Sequence, residues 1–215
     1  MTARRTAMLC TSAAIVAVAT GSPTPARAQM DMSCIVRSDI MPLEGRLSPL
    51  DSVMFRVDGP VVKICYGRPS ARGRTMLGNP GDAGVDFQMG VVPYGKLWRT
   101  GANEATLLRT PIDLVIAGIH VSAGTYSLYT VPGPTEWEII VNRSYSQWGQ
   151  EGLYTDDVRA QEVGRGRVHS ERADEHVETF TIGTEDAQDG GVQLILEWEQ
   201  TRVRIPVRAG EHPGG

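Results

Sequence analysis

Two lysines, Lys63 and Lys96, stand against nineteen arginines in this chain, so a cation that merely has to exist is an Arg here. Lys96 is therefore a residue to ask about chemistry. It lies in Tyr94-Gly95-Lys96-Leu97-Trp98-Arg99-Thr100-Gly101-Ala102-Asn103-Glu104-Ala105-Thr106, a dense run of hydrogen-bonding side chains between glycines that permit sharp turns. Three chemistries fit. If Arg68, Lys96, Arg99, Asn103 and Glu104 converge, the guanidinium forks and the ammonium would hold a carboxylate, phosphate or sugar-acid group by charge-assisted bonds. In a hydrolase-type enzyme, Glu104 would be the general acid/base and Lys96 or Arg99 would stabilise a developing anion. In a self-stabilising domain, Lys96 and Asn103 would form an intramolecular amide with Glu104 as proton shuttle. The bland alternative is a turned corner, with Trp98 in the core and Arg99 paired to Glu104.

Other motifs fall short. Gly90-Val91-Val92-Pro93-Tyr94-Gly95-Lys96-Leu97 has the outline of a phosphate-binding loop, but Leu97 stands where a hydroxyl must hold Mg²⁺ and Pro93 removes an amide from the cradle. His120, His169, His176 and His212 are scattered without metal-ligand spacing, so no metal and no cofactor is expected. No Gly-x-Ser-x-Gly elbow occurs.

The elements that must position the run read as strands. Segments 52–57, 61–66, 105–110, 112–117, 125–131, 136–142, 176–182, 192–199 and 202–207 are short, β-branched or aromatic, and separated by Gly, Pro or Asn. Val62, Ile64 and Tyr66 alternate with Val61, Lys63 and Cys65, and Val203, Ile205 and Val207 with Arg202, Arg204 and Pro206. Pro132-Gly133-Pro134 predicts a hairpin joining 126–130 to 137–141. No window holds a helical apolar stripe outside the N-terminal segment. The expected fold is an all-β antiparallel sandwich, jelly-roll or immunoglobulin-like, with long Gly/Arg-rich loops. Residues 67–92 read as an ordered loop. The charged stretch 143–170, with Gly164-Arg165-Gly166-Arg167, reads as a partly mobile one, and 209–215 as a frayed tail.

Tyr66-Gly67-Arg68-Pro69-Ser70-Ala71-Arg72-Gly73-Arg74, the 94–106 run with Val92-Pro93 ahead of it, and Ala123-Gly124-Thr125-Tyr126-Ser127-Leu128-Tyr129-Thr130-Val131-Pro132-Gly133 together resemble the DUF2911 family of exported bacterial proteins. The resemblance covers most of the chain beyond its first 28 residues. It implies a domain of unknown function behind a signal peptide. It marks Arg68, Arg74, Lys96, Trp98, Arg99, Asn103 and Glu104 as motif positions and gives none of them a role. Cys34, Cys65 and the charged insertion around 165–175 fall outside its pattern.

Arg4 and Arg5, an apolar run over 7–19 and Ala26-Arg27-Ala28 compose a secretory signal, with cleavage expected before Gln29 and one domain over 29–215. The run is too short for a membrane span, which takes about 20 apolar residues. The formal charge of the chain is −4, and losing Arg4, Arg5 and Arg27 makes it −7, which excludes a general nucleic-acid binder. The expected destination, periplasm or medium, is oxidising. Cys34 and Cys65 are then either a disulfide or, respectively, a terminal thiol and a small buried hydrophobe, and the sequence leaves both readings standing. The first choice of function is a binding or scaffold module whose cationic pocket takes a small anionic ligand.

Overall fold

The computed structural model describes residues 30–79, 92–188 and 190–210. The expected signal segment 1–28, with Cys10, lies outside them, as do residues 80–91 and the last five residues with His212. The chain divides at Met30/Asp31, and every strand belongs to the unit from Asp31 onward.

Strands dominate. They are β1 (Leu50–Arg56), β2 (Val61–Gly67), β3 (Leu77–Gly78), β4 (Val92–Pro93), β5 (Ala102–Thr110), β6 (Leu114–Ile116), β7 (Ile119–Val121), β8 (Gly124–Val131), β9 (Glu136–Asn142), β10 (Glu162–Asp186) and β11 (Val192–Ala209). The order in the main sheet is β1-β2-β5-β8-β9-β10-β11-β6-β7, a meander in which the β6–β7 hairpin leaves the chain between β5 and β8 to pair beyond β11. The 25-residue β10 serves both halves: residues 162–169 pair with β9, and residues 170–186 pair with β11. The two halves form the expected sandwich.

Parity explains the core. On β2, Val62, Ile64 and Tyr66 face inward; on β8, Tyr126 and Leu128; on β9, Trp137, Ile139 and Val141. They meet Phe180 and Ile182 of β10, and Leu194, Leu196 and Trp198 of β11. The β8–β9 hairpin pairs Leu128 with Val141 and Thr130 with Ile139, as the Pro132-Gly133-Pro134 turn requires. Segments 192–199 and 202–207 turn out to be one strand. Its inward residues are even-numbered up to Trp198 and odd-numbered from Val203, and Glu199, at φ 53°, absorbs the change of face as a bulge does.

The charged segment departs from expectation. Residues 143–161 pack on the outer face of the first half, where Tyr154 closes a small second core with Ala105, Tyr129 and Ile140. A four-residue helix, α1 (Asp156–Arg159), is capped by Thr155 and supplies Val158 to the same cluster. From Glu162 onward the stretch is strand. Gly166 is needed there because a Cβ would lie 2.1 Å from the Ala117 carbonyl oxygen. Arg165 bridges Glu138 at 2.6 Å and Glu162 at 2.7 Å, so a solvated charge pattern is compatible with a long strand. At the other end, Ala209 still pairs with Leu114, and the Gly210 amide donates to the Asp113 carbonyl.

Cys34 and Cys65 form a disulfide with a Cα–Cα distance of 5.7 Å. Of the two sequence readings, the bridged one is therefore present. It ties the segment 31–49, a strap ahead of β1, to β2.

Candidate functional site

The 94–106 run is folded by a chain of short bonds. Trp98 and Thr130 exchange backbone bonds of 2.7 and 2.9 Å, so the turn is clipped to β8. Trp98 enters the core, stacked on Trp198 with centroids 5.7 Å apart and edge-on to Phe180 at 4.9 Å, and its indole N–H donates to the Gly101 carbonyl. The Thr106 hydroxyl donates to the Thr100 carbonyl at 2.7 Å. Thr100 and Asn103 both adopt left-handed backbone, φ 56° and 66°, which costs a non-glycine residue on the order of 1 kcal/mol or more. The turn abuts β2 so closely that a Cβ on Gly67 would lie 2.1 Å from the Ala102 carbonyl oxygen. Only glycine fits there.

Against this turn lies a cavity of about 660 Å³. Arg74, Trp98, Arg99 and Asn103 line it, so these four sequence candidates share one hollow. Arg72, Trp148 and Gln150 contribute further wall, together with Met41, Leu47 and Ser48 of the strap. The lining contains three arginines and, among the described residues, no carboxylate.

Arg99 is the anomalous cation. One amino group donates to the Asn103 carbonyl at 2.7 Å, and no carboxylate comes within ion-pair distance of it among the described residues. Burial pushes its pKa down, opposed by the more distant Tyr129 and Glu104. The other arginines of the hollow also have carbonyl partners. Arg74 donates to the Ala71 and Ser70 carbonyls, and Arg72, exposed at the mouth, reaches the Leu47 carbonyl.

The remaining candidates are elsewhere. Arg68 leaves the hollow for Asp51 at 3.2 Å and the Thr181 hydroxyl at 2.9 Å. Lys96 is exposed on an adjoining hollow of about 160 Å³ that shares Val92, Trp98 and Arg99 with the larger one. Forming an amide with Asn103 would require a desolvated amine, and the Asn103 amide already donates to the Ser48 carbonyl at 2.9 Å. Glu104 is buried but does not line the cavity. Both of its oxygens accept from Arg46, at 2.8 and 3.0 Å, and one also accepts the Arg37 amide at 2.7 Å. The expected Arg99–Glu104 pair is thus replaced by Arg46–Glu104, and the carboxylate acts as the anchor for the strap.

Sequence reasoning missed Arg72, although it lies inside the quoted 66–74 motif. It also missed the strap, whose side chains carry no pattern pointing at a turn some 60 residues later. Asn142-Arg143-Ser144 has the form of a glycosylation acceptor, but Asn142 is fully buried, donating to the Tyr154 hydroxyl and the Val158 carbonyl. Among the described residues no cluster of potential ligands could hold a metal, and no helix is long and apolar enough to cross a membrane.

An antiparallel sandwich with a one-sided cationic hollow is the class of protein that this geometry defines. The sequence model of the DUF2911 family, a protein of unknown function, matches residues 48–207, and the chain belongs to that family. The match includes β1 to β10, most of β11 and the whole 94–106 run, and it begins at Ser48, near the end of the strap. No curated protein and no solved structure matches the chain.

Proposed function

We propose that the protein is an exported binding module whose cavity takes a small organic anion through Arg99. The carrying observation is a part-buried guanidinium with one carbonyl partner, in a hollow lined, among the described residues, by three arginines and no acid. A buried charge normally has its opposite beside it, because desolvation is costly and only a nearby counter-charge offsets it. A carboxylate or phosphate seated at Arg99 would supply that partner as a charge-assisted pair, with the Arg72 guanidinium at the mouth steering its approach. The volume lies within the range of small-molecule sites, about 300–1,000 Å³. The left-handed Thr100 and Asn103 beside the hollow fit a turn held for binding rather than for packing. Export is supported by the N-terminal signal pattern and is compatible with the disulfide.

Arg99→Gln tests this directly. Losing a charge-assisted contact of about 1.5–3 kcal/mol should weaken binding of phosphate or benzoate roughly tenfold or more by calorimetry. The melting temperature should hold or rise, since an unpaired buried cation is being removed. A variant that binds these anions like the wild type, or melts far below it, would assign Arg99 to the framework instead.

A further inference from the structure

The composition of the cavity wall narrows the ligand. Beside its polar side chains, which are Ser48, Ser70, the three arginines, Asn103 and Gln150, the wall carries six large apolar ones, Met41, Leu47, Met76, Val92, Trp98 and Trp148. A sugar acid, polar on all sides, would set some of its hydroxyls against those apolar side chains, at about 1–3 kcal/mol for each left unsatisfied. A bare phosphate would leave most of the volume unfilled.

The strap adds a second observation. Leu47 is 72% exposed and Met41 41% exposed, and both border the cavity, with Ile40 and Leu43 also exposed nearby in sequence. Exposed apolar side chains bordering a cationic hollow are complementary to a molecule with one charged head and an apolar body. Both residues precede the family match, which starts at residue 48, while Arg99 lies inside it.

Building on the anion-binding reading, we infer that the ligand is a single-headed amphiphilic anion. Its carboxylate sits on Arg99, and its alkyl body runs along Trp148 to the Met41 and Leu47 side chains of the strap. The head site is shared with the family match. The body site is contributed in part by the segment outside it.

The test is a homologous series of straight-chain carboxylates, acetate to decanoate, with 1-decanol as the uncharged control. It uses the disulfide-intact protein at fixed ionic strength and below micelle concentration, read by tryptophan fluorescence and calorimetry. From hexanoate to decanoate the affinity should rise roughly fourfold per methylene buried. Decanol should bind at least tenfold more weakly than decanoate, and Arg99→Gln should bring decanoate down to decanol. Leu47→Ser, at an exposed position, should weaken decanoate more than hexanoate. An affinity independent of chain length, with acetate and phosphate still bound through Arg99, would overturn the amphiphile and leave the anion site standing. Decanol binding as tightly as decanoate, or no anion binding at all, would overturn both.

Discussion

Replacing Arg46 by alanine should loosen the strap. The Arg46 side chain is 1% exposed and its partner Glu104 10%, with two bonds between them at 2.8 and 3.0 Å. The same guanidinium donates to the Pro42 and Met41 carbonyls, closing the 41–46 turn, and lies over the Trp148 ring at 5.7 Å. Breaking a buried ion pair from one side costs about 3–5 kcal/mol, because the other charge stays behind unpaired. Glu104 keeps its bond from the Arg37 amide and is not wholly buried, which puts the expected loss near the lower end, about 3 kcal/mol. For a domain of this size that corresponds to a fall in melting temperature of about 6–12 °C. The assay is a double-mutant cycle by thermal and urea unfolding, with Arg46→Met and Glu104→Gln singly and together beside Arg46→Ala. The combined variant should recover most of the loss, since two neutral groups leave no stranded charge. If Arg46→Ala melts within about 2 °C of the wild type, or if the two single losses simply add, the pair is not the tie that the strap depends on.

Two further outcomes rest on the same fold. Removing the disulfide with Cys34→Ala and Cys65→Ala frees a loop closed over a separation of 31 residues, worth about 3.7 kcal/mol on the chain-entropy model; equal melting of the reduced and oxidised wild type would contradict it. Glu162 accepts from Arg165 and from the Tyr154 hydroxyl, and these bonds, the Arg165 one foremost, hold its pKa below the ordinary 4.5. A depressed carboxylate contributes stability above its unfolded pKa and loses it as pH falls through the folded value. The gap in melting temperature between wild type and Glu162→Gln should therefore be full at pH 6–7 and shrink below about pH 4.5; a gap constant with pH would refute the assignment.

What could be read in advance was whatever repeats at short range. Alternation placed Val62, Ile64 and Tyr66 on one face of β2, and turn chemistry joined β8 to β9, because both depend on neighbours within a few residues. The packing of the 143–161 segment is not legible in the sequence, because its cover of the outer face rests on only Tyr154 and Val158, too few to make a periodic stripe. The first part of strand β10 is not legible as strand, because it is charged on a face that looks to solvent, where nothing selects apolar residues. At the site, Trp98, Arg99 and Asn103 were legible as a cluster since they lie within six positions of one another. The partner of Glu104 was not, because Arg46 lies 58 positions upstream and no local rule connects them.

Arg99 and Glu104 are separated by five positions in one turn and meet opposite fates, and the contrast bears on function more than either residue alone. The fold demonstrably can neutralise a buried charge here: it brings Arg46 across from the strap to satisfy Glu104, and elsewhere it pairs Arg165 with two carboxylates. Asn103 shows the same thoroughness, its amide and its carbonyl both engaged. Inside the cavity that thoroughness stops, and Arg99 is left with a single carbonyl although a second guanidinium, Arg72, stands at the mouth of the same hollow. A purely structural turn would gain from an acid or a neutral side chain at that position, since stability favours removing an unmatched charge. Retaining the guanidinium makes physical sense if its counter-charge arrives from outside the chain.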